Sequence, residues 1–129
     1  MILKCLDYQD ELEILGEGNQ VRHYTYGEDL AEGICTLMTH ENAKNNDFNL
    51  STSQSTTVLE LAEIIFNKIN PGKQLTIKNL EPFTYDVQKR IPSTVKAQEL
   101  LGFEAKTTLS DMLDIVIPWV KEAKEKNLY

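Results

Sequence analysis

Four side chains in this sequence carry types and spacings that can do chemistry: Gln20, Arg22, Asp86 and Arg90. An arginine guanidinium is planar and permanently charged, and its fork matches phosphate oxygens. Arg22 therefore reads either as a phosphate ligand or as a surface residue paired with a carboxylate. Gln20 lies two positions earlier, so on an extended segment its side chain points to the same side. It can hydrogen-bond a ligand, or sit in solvent at a turn. Arg90 can supply a second phosphate clamp. Asp86, four residues before it, can accept hydrogen bonds or orient an arginine. The competing reading of that pair is a salt bridge that pins a loop, worth about 0–1 kcal/mol where exposed.

Other reactive types are scattered. His23 and His40 are too isolated to indicate a metal site. The run Ser51–Thr57 contains neither glycine nor lysine, so it reads as a helix cap and not as a phosphate cradle. Cys5 and Cys35 show no metal spacing and no disulfide framework. Each lies in an apolar helical pattern, and both thiols are expected to be buried and reduced, as in a cytoplasmic protein.

The elements that must position these groups can be read from periodicity and punctuation. Residues 2–8 form a short amphipathic helix. Leu12–Leu15 form a strand running into the turn Gly16–Asn19, and residues 20–26 form a second strand; the two are expected to pair as a hairpin. A helix starts near Glu28 and Asp29, where carboxylates favour the N-terminus. Its Leu30, Ile34, Leu37 and Met38 define one apolar face, expected to be buried. A polar loop leads to a short strand at Phe48–Leu50. Thr57 and Glu60 form a capping-box pattern opening a strong helix, which Pro71-Gly72 ends. A strand at Leu75–Ile77 and a loop from Asn79 to Pro92 follow. A helix from Thr94 to Leu101 closes at Gly102. Thr108 and Asp111 open the last helix, which Pro118 is expected to kink or to shift at its start. Gln20 and Arg22 thus fall on a strand, Asp86 and Arg90 on a loop. The result is one mixed α/β domain over residues 1–129, of about four helices and four short strands, too few for a full doubly wound sheet.

Composition narrows the partners. The chain has 129 residues, 41% hydrophobic and 26% charged, with a net charge of −7. That balance fits a globular domain with one core. Its acidity disfavours nucleic acid and anionic membranes, but one or two placed arginines can still hold a phosphate ligand. No apolar run approaches the roughly 20 residues that span a bilayer.

Residues Gly16 to Ile34, with Gly16-x-Gly18-x-x-x-Arg22, an aromatic strand and Asp29-Leu30-Ala31, resemble the extended short-chain dehydrogenase/reductases, the nucleotide-sugar epimerases and dehydratases. Phe48-Asn49-Leu50 followed by Thr57-Val58-x-Glu60-Leu61 continues the resemblance. So does Asp86-x-x-x-Arg90 with Lys96-Ala97-x-x-Leu100-Leu101-Gly102-Phe103. Together these motifs run in order over residues 12–120. One departure is local: many members carry Arg-x-Gly-Asp before this point, and here Phe83 and Tyr85 stand where that Arg and Gly would be. Phe83 is expected to pack into core or loop more than to stack on a base.

The resemblance implies the C-terminal substrate-binding portion of such an enzyme. A nucleotide-diphosphate sugar would be the ligand. Arg22 and Arg90 would contact its diphosphate, Gln20 would hydrogen-bond its ribose, base or phosphate, and Asp86 would accept from the ribose or orient an arginine. NAD and catalysis would belong to an N-terminal Rossmann half preceding Met1, because the Gly-x-x-Gly-x-x-Gly loop of that family is not found here. Its Tyr-x-x-x-Lys pair is matched in spacing by Tyr85 and Lys89 alone, in a predicted loop, and they are not read as catalytic. A homodimer of the parent is compatible with the resemblance. The alternative is a standalone binding or protein-interaction module of the same ancestry; a third reading is an unrelated acidic α/β domain.

Overall fold

The structure, a computed structural model, describes residues 1–128. Its helices are α1 (Ile2–Leu6), α2 (Gly27–Thr39), α3 (Val58–Ile69), α4 (Val95–Leu101) and α5 (Leu109–Glu125), with a 3-10 turn at Glu41–Ala43. Its strands are β1 (Leu12–Leu15), β2 (Val21–Arg22), β3 (Thr56–Thr57) and β4 (Ile77–Leu80). They form two separate two-stranded sheets and no doubly wound sheet among the described residues.

The strand partners differ from the expected hairpin. β1 pairs in parallel with β4, Leu12 opposite Ile77 through Leu15 opposite Leu80. β2 pairs antiparallel with β3, Val21 opposite Thr57. Gly16 and Gly18 take positive φ of 65° and 76° between them, so the chain leaves the first sheet and enters the second instead of folding back. β4 also lies two residues later than the Leu75–Ile77 strand read from the sequence. Phe48–Leu50 forms no ladder; Phe48 and Leu50 pack instead against the small core of Ala97, Leu101 and Phe103.

The main core lies between α1, α3, α5 and β1. Cys5, Leu12, Ala62, Ile65, Phe66, Leu109 and Leu113 are all buried there. The Tyr8 ring meets Phe66 edge-on at 4.7 Å between centroids, while its hydroxyl donates to the Asp10 carbonyl at 2.9 Å. Burial pushes the Cys5 thiol above its ordinary value, so it stays protonated and inert. Cys35, expected to be buried, is exposed on α2.

α2 corrects the sequence reading by one residue. Leu30, Ile34 and Met38 are 37%, 48% and 80% exposed. The stripe that faces the protein is Asp29, Gly33 and Leu37. Asp29 is buried and accepts from the Thr107 amide at 2.9 Å. A Cβ at Gly33 would stand 2.7 Å from the Phe103 ring, so the helix approaches that ring only with glycine there.

The helix boundaries follow their caps. Thr57 accepts from the Glu60 amide at 3.1 Å, and the Glu60 carboxylate accepts from the Thr57 amide at 2.7 Å. Gly102 closes α4 at φ 66°. Thr108 caps α5, which begins at Leu109 and runs through Pro118. The Thr57 amide and then its hydroxyl hold the Glu60 carboxyl below its ordinary 4.5. A carboxyl lowered on folding contributes stability that is present above its unfolded value and lost as pH falls through its folded value. Loss of the Thr57 hydroxyl cap in Thr57→Ala is expected to cost about 1 kcal/mol at neutral pH, and Glu60→Gln should flatten the acid limb of stability against pH. Urea melts from pH 7 to pH 3 check this.

Candidate functional site

β2 is the centre of the site because chain packs on both of its edges. β3 pairs with it on one edge. On the other, Val21 forms a parallel bridge to Lys89: the Val21 amide donates to Gln88 at 2.8 Å, and the Arg90 amide donates to Val21 at 3.1 Å. With 21 opposite 89, positions 22 and 90 are neighbours, and side chains at paired positions leave the same face. Arg22 and Arg90 are the two arginines of the chain. Both line one cavity of about 840 Å³.

The rest of that cavity's wall is mixed, with Tyr24, Leu30, Phe48 and Leu50 beside the polar His23, Thr25, Asn49 and Ser51. Nδ1 of His23 lies 2.7 Å from the Thr52 carbonyl, and Nε2 lies 2.9 Å from the Ser55 hydroxyl. A carbonyl only accepts, so Nδ1 donates to Thr52. Thr25 accepts from the Thr52 amide at 3.0 Å. These bonds tie the Ser/Thr run to the segment after β2. Leu30, the first residue of the exposed α2 stripe, also lies on the wall, as do Asn49 and Ser51. Burial pushes the Tyr24 phenol above its ordinary value, partly offset by the Arg22 cation, so it is protonated at neutral pH.

Arg22 is shared with a second, more apolar cavity of about 270 Å³, lined by Ile14, Leu15, Val58 and Phe83. Phe83, expected to pack into core or loop, is 69% exposed on its rim. Asp86 and Gln20 also reach this cavity. Asp86 accepts from Arg22 at 3.2 Å and from the Gln20 amide at 2.8 Å. Gln20 itself is only 6% exposed. The four residues singled out from the sequence are thus brought together: Arg22 at the partition, Arg90 on the larger cavity, Asp86 and Gln20 on the smaller, more apolar one. Tyr85, by contrast, is 96% exposed.

Sequence reasoning missed His23, Asn49 and Ser51 as cavity residues. His23 alternates with Arg22 on an ideal strand and would face away from it. β2 ends at Arg22, so the alternation breaks there and both side chains reach the same space. Nothing in the composition marks that break.

The glycines do not fit a dinucleotide. A Cβ at Gly18 would stand 2.9 Å from Ile14 and 3.2 Å from Leu59, and one at Gly16 would stand 3.3 Å from Pro82. The bare face of Gly18 is packed on protein, not open to a pyrophosphate. Among the described residues, no group of three or more His, Cys, Asp or Glu is placed to hold a metal ion. No helix there is long and apolar enough to cross a membrane.

Fold and motif order together define a part of the extended short-chain dehydrogenase/reductase fold. The family model described as GDP-mannose 4,6 dehydratase matches residues 1–116, and the chain belongs to this family of nucleotide-sugar epimerases and dehydratases. UDP-glucuronic acid decarboxylase 4 of Arabidopsis thaliana is 34% identical over 110 residues, 84% of this chain and 24% of that protein. The solved UDP-glucose 4-epimerase with UDP-glucose from Thermotoga maritima superposes with a TM-score of 0.81 and 29% identity, covering 95% of this chain and 38% of that one. UDP-glucuronic acid 4-epimerase from Bacillus cereus in complex with NAD gives 0.78 and 25%, covering 94% and 37%. The chain therefore spans between 24% and 38% of the length of these proteins.

Proposed function

We propose that this chain is the C-terminal, substrate-binding portion of an NAD-dependent nucleotide-sugar epimerase or dehydratase. The observation that carries the reading is the convergence of Arg22 and Arg90, distant in sequence, on one cavity. A nucleotide sugar has an apolar-faced base at one end, a doubly charged bridge and a polar sugar at the other. The arrangement is compatible with that order: an apolar cavity under Phe83, Arg22 at the partition, and a larger mixed cavity in which Arg90, His23, Asn49 and Ser51 offer polar groups. Binding the unreactive diphosphate here would hold the sugar in place for a reaction carried out by other groups.

Those other groups are assigned to an N-terminal Rossmann half that binds NAD and carries the Tyr-x-x-x-Lys pair. NAD supplies hydride transfer when bound there; no residue of this chain is given a part in that step. The relatives support the division, since one solved neighbour holds UDP-glucose and another NAD, and this chain matches little more than a third of each. The exposed stripe Leu30, Ile34 and Met38 supports it too. Leu30 lies on the cavity wall, so polypeptide seated on the stripe would close the cavity. A standalone interaction module of the same ancestry would offer the same stripe to a different protein; the coding sequence upstream of the Met1 codon separates the two.

Titration of the chain with UDP-, GDP-, CDP- and dTDP-sugars, followed by amide NMR shifts, tests the proposal. At least one set should bind weakly and saturably, with shifts centred on residues 20–25 and 86–91, compete with pyrophosphate, and undergo no turnover. NAD should not bind. Four flat titrations, or shifts confined to the apolar groove between α1, α3 and α5, would overturn it.

A further inference from the structure

We infer that Gln20 is a positioning residue: its buried amide pins Asp86, and Asp86 sets where Arg22 presents its guanidinium. This rests on Arg22 being the phosphate ligand, but its geometry stands apart from any ligand. Both hydrogens of the Gln20 amide nitrogen are used, one on the Leu15 carbonyl at 3.2 Å and one on Oδ2 of Asp86 at 2.8 Å. The other carboxylate oxygen, Oδ1, accepts from Nη2 of Arg22 at 3.2 Å. Nη1 of Arg22 donates to the Val21 carbonyl at 2.9 Å. The guanidinium is thus held on two sides, and three of its five N–H donors remain for an anion.

The amide cannot turn over. Reversal would set its oxygen against a carboxylate and a carbonyl, neither of which donates. As placed, Oε1 is buried and makes no hydrogen bond. An unmade bond of this kind is costly, and an apolar side chain of the same shape would avoid it. What the glutamine supplies in return is the pair of bonds from its nitrogen. Among the described residues, the side-chain hydrogen bonds that tie segment 81–87 to the rest of the protein all run through Asp86. Gln20 therefore anchors the loop that carries Asp86 at the point where that loop meets Arg22.

The test is a cycle of Gln20→Met, Asp86→Ala and the double variant in the full chain, labelled with ¹⁵N. With two arginines in the sequence, the Nε–H signal of Arg22 is assigned by Arg90→Lys. Gln20→Met should shift the Arg22 signal and weaken UDP binding about three- to tenfold, the range of one net hydrogen bond. In the Asp86→Ala background it should do neither, although the melting midpoint should fall in both backgrounds because the Leu15 carbonyl loses its donor. An equal shift of the Arg22 signal in both backgrounds, or no shift in either, would overturn the inference. If the wild type bound no UDP but the signal followed the cycle, the positioning role would stand and the phosphate reading would fall. If Arg22→Ala abolished UDP binding while the signal ignored Gln20, the reverse would hold. Should Gln20→Met fail to fold, Gln20→Asn, which keeps the amide but falls short of Asp86, takes its place.

Discussion

Arg22→Ala is expected to weaken UDP binding by about 10- to 100-fold, the range for a charge-assisted hydrogen bond of about 1.5–3 kcal/mol. Two effects add. The anion loses its fork, and Asp86 loses its cation and becomes an unpaired carboxylate at the mouth of the apolar cavity. The second effect separates Arg22→Ala from Arg90→Ala, because no carboxylate is paired with Arg90 among the ion pairs of the described residues. Arg90→Ala should therefore cost less. Arg22→Lys keeps the charge without the planar fork and should fall between wild type and alanine. Folding should also weaken, because the part-buried Asp86 carboxylate is left without its cation. Isothermal titration, with urea melts of the same samples, checks both halves of this expectation.

The largest effect on stability is expected from Phe66→Ala. Phe66 is fully buried at the meeting of α1, α3 and β1, with Tyr8 edge-on to its ring. Removing a ring at such a site costs about 3–5 kcal/mol, part lost transfer and part cavity. A domain of this size has about 5–15 kcal/mol in total, so the variant should lose a large share of its stability. The loss should spare the geometry around Arg22 at low temperature, where the variant is folded. Thermal melts by circular dichroism, with UDP titration at 10 °C, check this: a large drop in midpoint and an affinity close to wild type.

Local signals were legible in the sequence where they depend on local chemistry. The Thr57–Glu60 box, the Thr108 cap and the glycine after α4 all lie where residue types placed them. Gln20, Arg22, Asp86 and Arg90 lie near one another in the fold, and it was motif order, not local chemistry, that singled them out. Partner identity was less legible. Alternation in 12–15 and 20–26 marks two extended segments but does not say what each pairs with, and positive φ at Gly16 and Gly18 sends them to different sheets.

The α2 face shows a second limit. Leu30, Ile34 and Met38 recur at helical spacing, and that pattern says an apolar face exists, not that this chain covers it. Here the helix turns Asp29, Gly33 and Leu37 toward its own protein, because glycine lets the Phe103 ring approach and Asp29 meets the Thr107 amide. Phe48–Leu50 has the same character. Its residue types suit a strand, and its side chains find a core, yet no strand lies beside it among the described residues.

A crystal structure of the chain with a bound UDP-sugar is the most direct test of the central claim. The account predicts diphosphate oxygens within hydrogen-bond distance of both Arg22 and Arg90, the base against Phe83 and Ile14, and Gln20 still on Asp86. A diphosphate bound elsewhere, with both guanidinium groups free of it, would contradict the account.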